Sequence, residues 1–212
     1  MNLIVGHDQT GRRRTMTSAI PRVCAAAVGF VPIAASAHVA VGGSDRFVHG
    51  FSHPLGGIDH VLAMVAVGLF AARLGGRALW LLPSTFVCMM ALAGIAGMHG
   101  VRLPFAEIAI GLSVVVFGVA VALQLEPRTL VATSVVGFFA VFHGHAHGAE
   151  MPASISAISY GVGFVCATAL LHATGVGLGI AIGKTGQGWS RRVLQFSGAA
   201  MAIAGVTILI PA

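Results

Sequence analysis

Six long apolar runs occupy most of the chain, at 58–72, 78–98, 105–123, 129–147, 155–183 and 193–210. None alternates polar with apolar residues as a half-buried strand would, so each reads as a helix. Asp, Glu, Lys and Arg make up 8% of the sequence, against about 25% in soluble domains. That is too little charge to cover a water-facing surface, so the solvent of these runs is lipid. In hydrocarbon every backbone amide must be satisfied internally, which leaves helix bundles or closed barrels. The expected fold class is all-α, a polytopic transmembrane bundle of about six helices. The first run is short for a span, and the fifth is long enough to need tilt or a kink.

Ahead of these runs lies a leader. Arg12, Arg13 and Arg14 precede a short apolar stretch at 23–33, and Ala35-Ser36-Ala37 is a small-x-small cleavage site. This is the pattern of an export signal, so 1–37 is read as a signal peptide and 38–212 as the six-helix domain. An uncleaved first helix is the alternative. Cleavage would make His38 the new N-terminus, where a terminal amine beside an imidazole could chelate a metal. Of the three cysteines, Cys24 falls in the leader and Cys88 and Cys166 in apolar runs. Neither a disulfide framework nor a thiolate metal site is indicated.

The formal charge of +6 reads as membrane topology. Nucleic-acid binding needs a basic face, and beyond the leader the cations lie in the short loops between apolar runs. With the mature N-terminus outside, Arg73, Arg77, Arg128, Lys184, Arg191 and Arg192 all fall on the cytoplasmic side, while Arg46 and Arg102 stay out. That asymmetry satisfies the positive-inside rule and places the protein in the bacterial inner membrane with a periplasmic N-terminus.

On this map the histidines and acids gather on the outer side. His49, His53, Asp59 and His60 lie before or within the start of the first run, His99 ends the second, and Glu107 begins the third. His143, His145, His147 and Glu150 end the fourth, and His172 alone sits deep, in the fifth. Two constellations stand out. In His53-Pro54-Leu55-Gly56-Gly57-Ile58-Asp59-His60, the proline and glycines disfavour helix, so His53 is expected on the incoming loop. Asp59 and His60 then occupy the first helical turn, where the helix dipole favours a carboxylate. As a cap and an interfacial residue, Asp59 and His60 would each be explained singly. The full set entering a membrane helix instead suggests a site, because intramembrane ionisable groups are functional by default.

The second constellation is Phe142-His143-Gly144-His145-Ala146-His147-Gly148-Ala149-Glu150. Helical spacing aligns His143, His147 and Glu150 on one face and turns His145 away. Gly144 and Gly148 form a small-xxx-small surface for close approach of another helix. Fusion to an apolar helix argues against a flexible, adventitious His tract. His99 and His172 read equally as metal ligands or as interhelical hydrogen-bonders. Gly175, Gly179 and Gly183 read as close helix packing. Imidazole with carboxylate and no thiolate suits nickel, cobalt, copper or zinc, and suits magnesium or calcium poorly. The candidate metal ligands are therefore His53, Asp59, His60, His143, His147 and Glu150, with His99, His172 and His38 as further members.

At these two motifs the sequence closely resembles the HupE/UreJ family of nickel permease and accessory proteins. The His-x5-Asp-His signature matches at His53, Asp59 and His60. The Phe-His-Gly-x-Ala-His-Gly-x-Glu signature matches at Phe142, His143, Gly144, Ala146, His147, Gly148 and Glu150. The resemblance implies uptake of Ni2+, with cobalt or zinc as alternatives, for hydrogenase or urease maturation by a secondary or facilitated transporter.

The implied partners are a divalent metal ion and membrane lipid, with a second copy of the chain or a metallochaperone as candidates and no nucleic acid. No enzymatic activity is expected. No Gly-Lys-Ser/Thr phosphate loop is present, so ATP hydrolysis is not indicated. Two rivals are an intramembrane zinc-dependent hydrolase and a metal sensor or chaperone that does not transport. A trail of ligands running inward would favour transport. A closed three-ligand cage beside a lipid-facing slot would favour the hydrolase, and ligands confined to the rim the sensor.

Overall fold

In a computed structural model, which describes residues 43–151 and 157–210, each of the six apolar runs forms a helix over most of its described length. They are α2 (Ile58–Leu74), α3 (Ala78–Met98), α4 (Ala106–Ala122), α5 (Thr129–Glu150), α6 (Ala157–Gly183) and α7 (Gln187–Leu209), preceded by α1 (Gly43–Gly56). The expected signal peptide, 1–37, and His38 lie outside the described residues. Four helices, α3, α5, α6 and α7, are long and apolar enough to cross a membrane. At 17 residues α4 is shorter, about 26 Å against a hydrocarbon core of about 30 Å. α1 and α2 reach span length only together, as a broken pair bent by 82°.

α1 corrects one expectation. His53 sits in the last turn of a helix, not on a loop, and Pro54 lies inside that helix. A proline removes one i→i−4 bond and crowds the carbonyl four residues back, here that of Gly50. Being two residues from the helix end, Pro54 disturbs a single turn. Packing offsets that loss: the Gly50 backbone lies against Tyr160 of α6, and Gly163 of α6 against Phe47 and Phe51. The glycines predicted to break the helix act one residue later. Gly57 is extended (φ −100°, ψ 116°) and turns the chain into α2.

Glycine contacts also join the longer helices, as expected where lipid leaves no hydrophobic drive between spans. Gly144 and Gly148 of α5 meet the backbone of Met90 and Gly94 on α3, Gly175 meets Val65 and Gly68 of α2, and Gly118 of α4 meets Gly198 of α7. Gly179 also packs on α2, against Ala72. Gly183 faces open space, so the packing stripe on α6 ends a turn before its last glycine. The core beneath is Met64, Val67, Leu82, Phe86, Met90, Phe117, Val121 and Val136. Trp80, Leu92, Leu130, Phe138, Ile158, Phe196 and Ile203 are exposed on the periphery, as a lipid-facing surface requires.

The two ends of the bundle differ in chemistry. One carries the start of α2, the end of α3, the start of α4 and the end of α5, and with them most of the histidines. The other carries Arg73, Arg77, Arg128, Lys184, Arg191 and Arg192, and there Arg73 pairs with Glu126.

Candidate metal centre

α1, α2 and α5 bring the two sequence motifs together. The His60 ring centroid lies 4.2 Å from that of His147 and 4.8 Å from that of His143, and His53 lies 4.8 Å from His147. Glu150 approaches His53 at 3.4 Å and His147 at 3.9 Å. The pattern on α5 follows from helical spacing, which sets His143, His147 and Glu150 on one face. The pattern on α2 follows from its N-terminus, where Asp59 and His60 occupy the first turn.

Hydrogen bonds fix which nitrogen of each ring is free. His60 Nδ1–H donates to the Asp59 carboxylate at 2.8 Å. A carboxylate only accepts, so the lone pair of His60 is on Nε2. The Ser113 hydroxyl donates its one proton to the Ile110 carbonyl at 2.6 Å. Its contact with His143 Nε2, at 2.9 Å, must then be accepted from Nε2–H, which leaves the lone pair of His143 on Nδ1. His172 Nδ1–H donates to the Thr168 carbonyl at 2.9 Å, leaving Nε2.

Each of these free nitrogens, His60 Nε2, His143 Nδ1 and His172 Nε2, is buried and without a hydrogen-bond partner. So are both nitrogens of His147. The four residues are 8%, 0%, 1% and 6% exposed, respectively. Buried polar atoms are otherwise almost always satisfied. Several orphaned lone pairs in one cluster fit an ion that would accept them. Orientation of a ligand ring through its second N–H is also the usual support of metal-binding histidines.

His172 stands apart from the cluster, with the Phe86 ring in contact with both sides. Phe86 lies 5.3 Å from His143 and 4.9 Å from His172, centroid to centroid. His99 caps the end of α3 and is exposed, as is Glu107 in the first turn of α4. Among the described residues no ring contact or ion pair links either to the cluster. His145 turns away from the cluster, as the helical spacing predicts. Its Nε2–H donates to the Val101 carbonyl in the loop after α3.

Sequence reasoning missed Ser113, the one hydroxyl in the apolar body of α4, and that isolation was the available signal. It also missed the aromatic walls. Phe164 packs 4.4 Å from His147, Tyr160 lies 5.8 Å from His53, and Phe86 lines the floor. Nothing distinguishes those rings from other core aromatics in the sequence. Beside His147 a cleft of about 330 Å³, almost wholly apolar, opens between α3, α5 and α6.

The fold and this cluster define a multi-pass helical membrane protein with converging imidazoles at one end of the bundle. The sequence matches the family described as HupE / UreJ protein over residues 26–208. It is also 45% identical to Protein HupE of Rhizobium leguminosarum bv. viciae over 181 residues, covering 85% of this chain and 92% of that one. The chain therefore belongs to the HupE/UreJ family. No solved structure matches it.

Proposed function

We propose that this protein imports a divalent transition metal, Ni2+ in the first place, across the bacterial inner membrane for hydrogenase or urease maturation. The observation that carries the reading is the set of buried, unpartnered imidazole nitrogens on His60, His143 and His147, with His53 and Glu150 at their open side. Neutral nitrogen donors with one carboxylate suit nickel, cobalt or zinc and not magnesium or calcium. His172, beyond Phe86, extends the donors inward and serves as the next station, as a trail for passage requires. His38 adds a chelating N-terminus if the leader is cleaved at Ala37, and His99 and Glu107 attract cations at the rim.

The orientation follows from the arginines. Six of the basic loop residues share the end opposite the histidines, which the positive-inside rule assigns to the cytoplasm. A potential of about 100 mV, negative inside, then favours inward movement of a 2+ ion by roughly 4.6 kcal/mol. Facilitated transport needs no further driving reaction. Candidate protein partners are a second copy or a metallochaperone receiving the ion.

A second reading, an intramembrane zinc-dependent hydrolase, draws on one observation: the apolar cleft that reaches His147 could admit an acyl chain or peptide. Accumulation of radiolabelled nickel in metal-starved cells separates the two. The intact protein raises cellular nickel, and His60→Ala and His147→Ala at matched expression lose the gain. If the intact protein moves neither nickel, cobalt nor zinc, import is wrong and the hydrolase reading takes its place.

A further inference from the structure

The geometry points to two alternative ion positions that share His147, an outer one on His53, His147 and Glu150 and an inner one on His60, His143 and His147. The ion passes between them as the His147 ring turns. The inference rests on the import reading and supplies its first transport step.

The outer position is defined by proximity. One ligand atom each from His53, His147 and Glu150 lies within 4.8 Å of the others. The His53 and Glu150 side chains are 27% and 56% exposed, so a hydrated ion reaches them directly. The inner position is defined by burial and tautomer. His60 and His143 are fixed by Asp59 and Ser113 so that Nε2 and Nδ1, respectively, carry the free lone pairs. The His60 ring joins the set, 4.8 Å from His143 and 4.2 Å from His147, centroid to centroid.

His147 is the hinge of this arrangement because no hydrogen bond fixes its ring. Both its nitrogens are buried and neither makes a hydrogen bond. The His60 and His143 rings are each hydrogen-bonded in one tautomer, whereas His147 is held only by its contacts with His60, His53 and Phe164. A neutral imidazole has one lone pair, so His147 can complete only one of the two positions at a time. They are therefore alternatives, filled in succession. A half-turn of the ring about Cβ–Cγ carries the lone pair from one side to the other without moving a proton.

The two positions also differ in what they accept. The outer one includes a half-exposed carboxylate, whose charge attracts any divalent cation. The inner one is three neutral imidazoles, a donor set that suits nickel, cobalt, copper and zinc and leaves magnesium and calcium without oxygen ligands. Capture thus precedes selection. Ions that fail at the inner position return to the outside.

The test is nickel binding to the purified protein in lipid nanodiscs, read by equilibrium dialysis and by X-ray absorption at the nickel edge. The variants are His53→Ala, His143→Ala and His147→Ala, with thermal unfolding as the check on folding. His53→Asn or His143→Asn replaces an alanine variant that does not fold. Wild type should hold one nickel per chain. His143→Ala should keep one nickel in a mixed shell that includes two imidazoles and the Glu150 carboxylate. His53→Ala should keep one in a shell of three imidazoles without the carboxylate. Each should bind at least about tenfold more weakly than wild type, since even an outer-shell partner of a ligand is worth roughly 10–100-fold. His147→Ala should lose both shells.

Identical nickel shells in the His53 and His143 variants would mean one composite site and would overturn the inference. Two nickel ions held at once by wild type would overturn it equally. If the two shells appear but the intact protein fails to raise cellular nickel, the import reading falls and the paired positions stand. If wild type binds no nickel, both fall.

Discussion

Gly144→Ala asks whether the close approach of α3 and α5 is what aligns the imidazoles. A Cβ on Gly144 would fall on the carbonyl and Cα of Met90, well inside the 3.4 Å at which such contacts become ordinary. The obstacle is backbone, so no rotamer change relieves it and the two helices must part. Overpacking of this kind costs about 1–3 kcal/mol, and a rigid obstacle belongs at the upper end. Alanine also regains up to about 1 kcal/mol of helix propensity, so the expected net loss is about 1–2 kcal/mol. Gly177→Ala is the matched comparison: it is helical, and a Cβ there meets nothing within 4 Å. It should be stabilising by about 0.4–1 kcal/mol. Subtracting the two cancels propensity and leaves the contact term alone. The functional effect should be larger. His143 and His147 flank Gly144, and metal–ligand distances tolerate only about 0.2 Å. Nickel uptake by Gly144→Ala should fall at least about tenfold, equivalent to roughly 1.4 kcal/mol, with Gly177→Ala unchanged. Thermal unfolding in detergent micelles reads the first quantity and nickel accumulation at matched expression the second. If the two variants behave alike in both assays, glycine packing does not set this site.

Three further outcomes are expected. Ser113→Ala removes the acceptor that fixes the His143 tautomer and should weaken nickel binding by roughly 10–100-fold, measured by competition with a chelating dye. Retention of wild-type affinity would show that Ser113 orients nothing. His145→Ala loses its bond to the Val101 carbonyl and leaves a gap where a buried ring stood, so it should cost at least about 0.5–1.5 kcal/mol of stability without changing the nickel-edge spectrum. A changed spectrum would place His145 among the ligands. Collapsing the membrane potential with an ionophore should remove most of the nickel gradient, because the potential supplies roughly 4.6 kcal/mol per divalent ion at about 100 mV. Accumulation that survives the ionophore and stops on ATP depletion would point to an energised partner.

Much of the fold was legible because lipid narrows the choices. An apolar run must close its own hydrogen bonds, so 78–98 could be read as the helix α3 with no error at either end. The pairing of Gly144 and Gly148 with α3 was legible as a surface but not as a partner, since small-xxx-small spacing says how close a neighbour comes and not which one it is. α1 was illegible for a physical reason. Pro54, Gly56 and Gly57 read locally as breakers, while the compensation comes from α6, about a hundred residues away, where Gly163 receives Phe47 and Phe51. The consequence reaches the site, because a helical His53 is held against His147 by α1, whereas a loop His53 would have to be recruited. The donor residues themselves were readable from their spacing on α2 and α5. Their free nitrogens were not, since a tautomer depends on partners such as Ser113 that lie 30 residues away. Sequence spacing therefore gives the identity of a ligand set, and the structure gives its directionality. The His147 ring, held by no hydrogen bond beside two that are, is what would let a cluster of donors serve as a path.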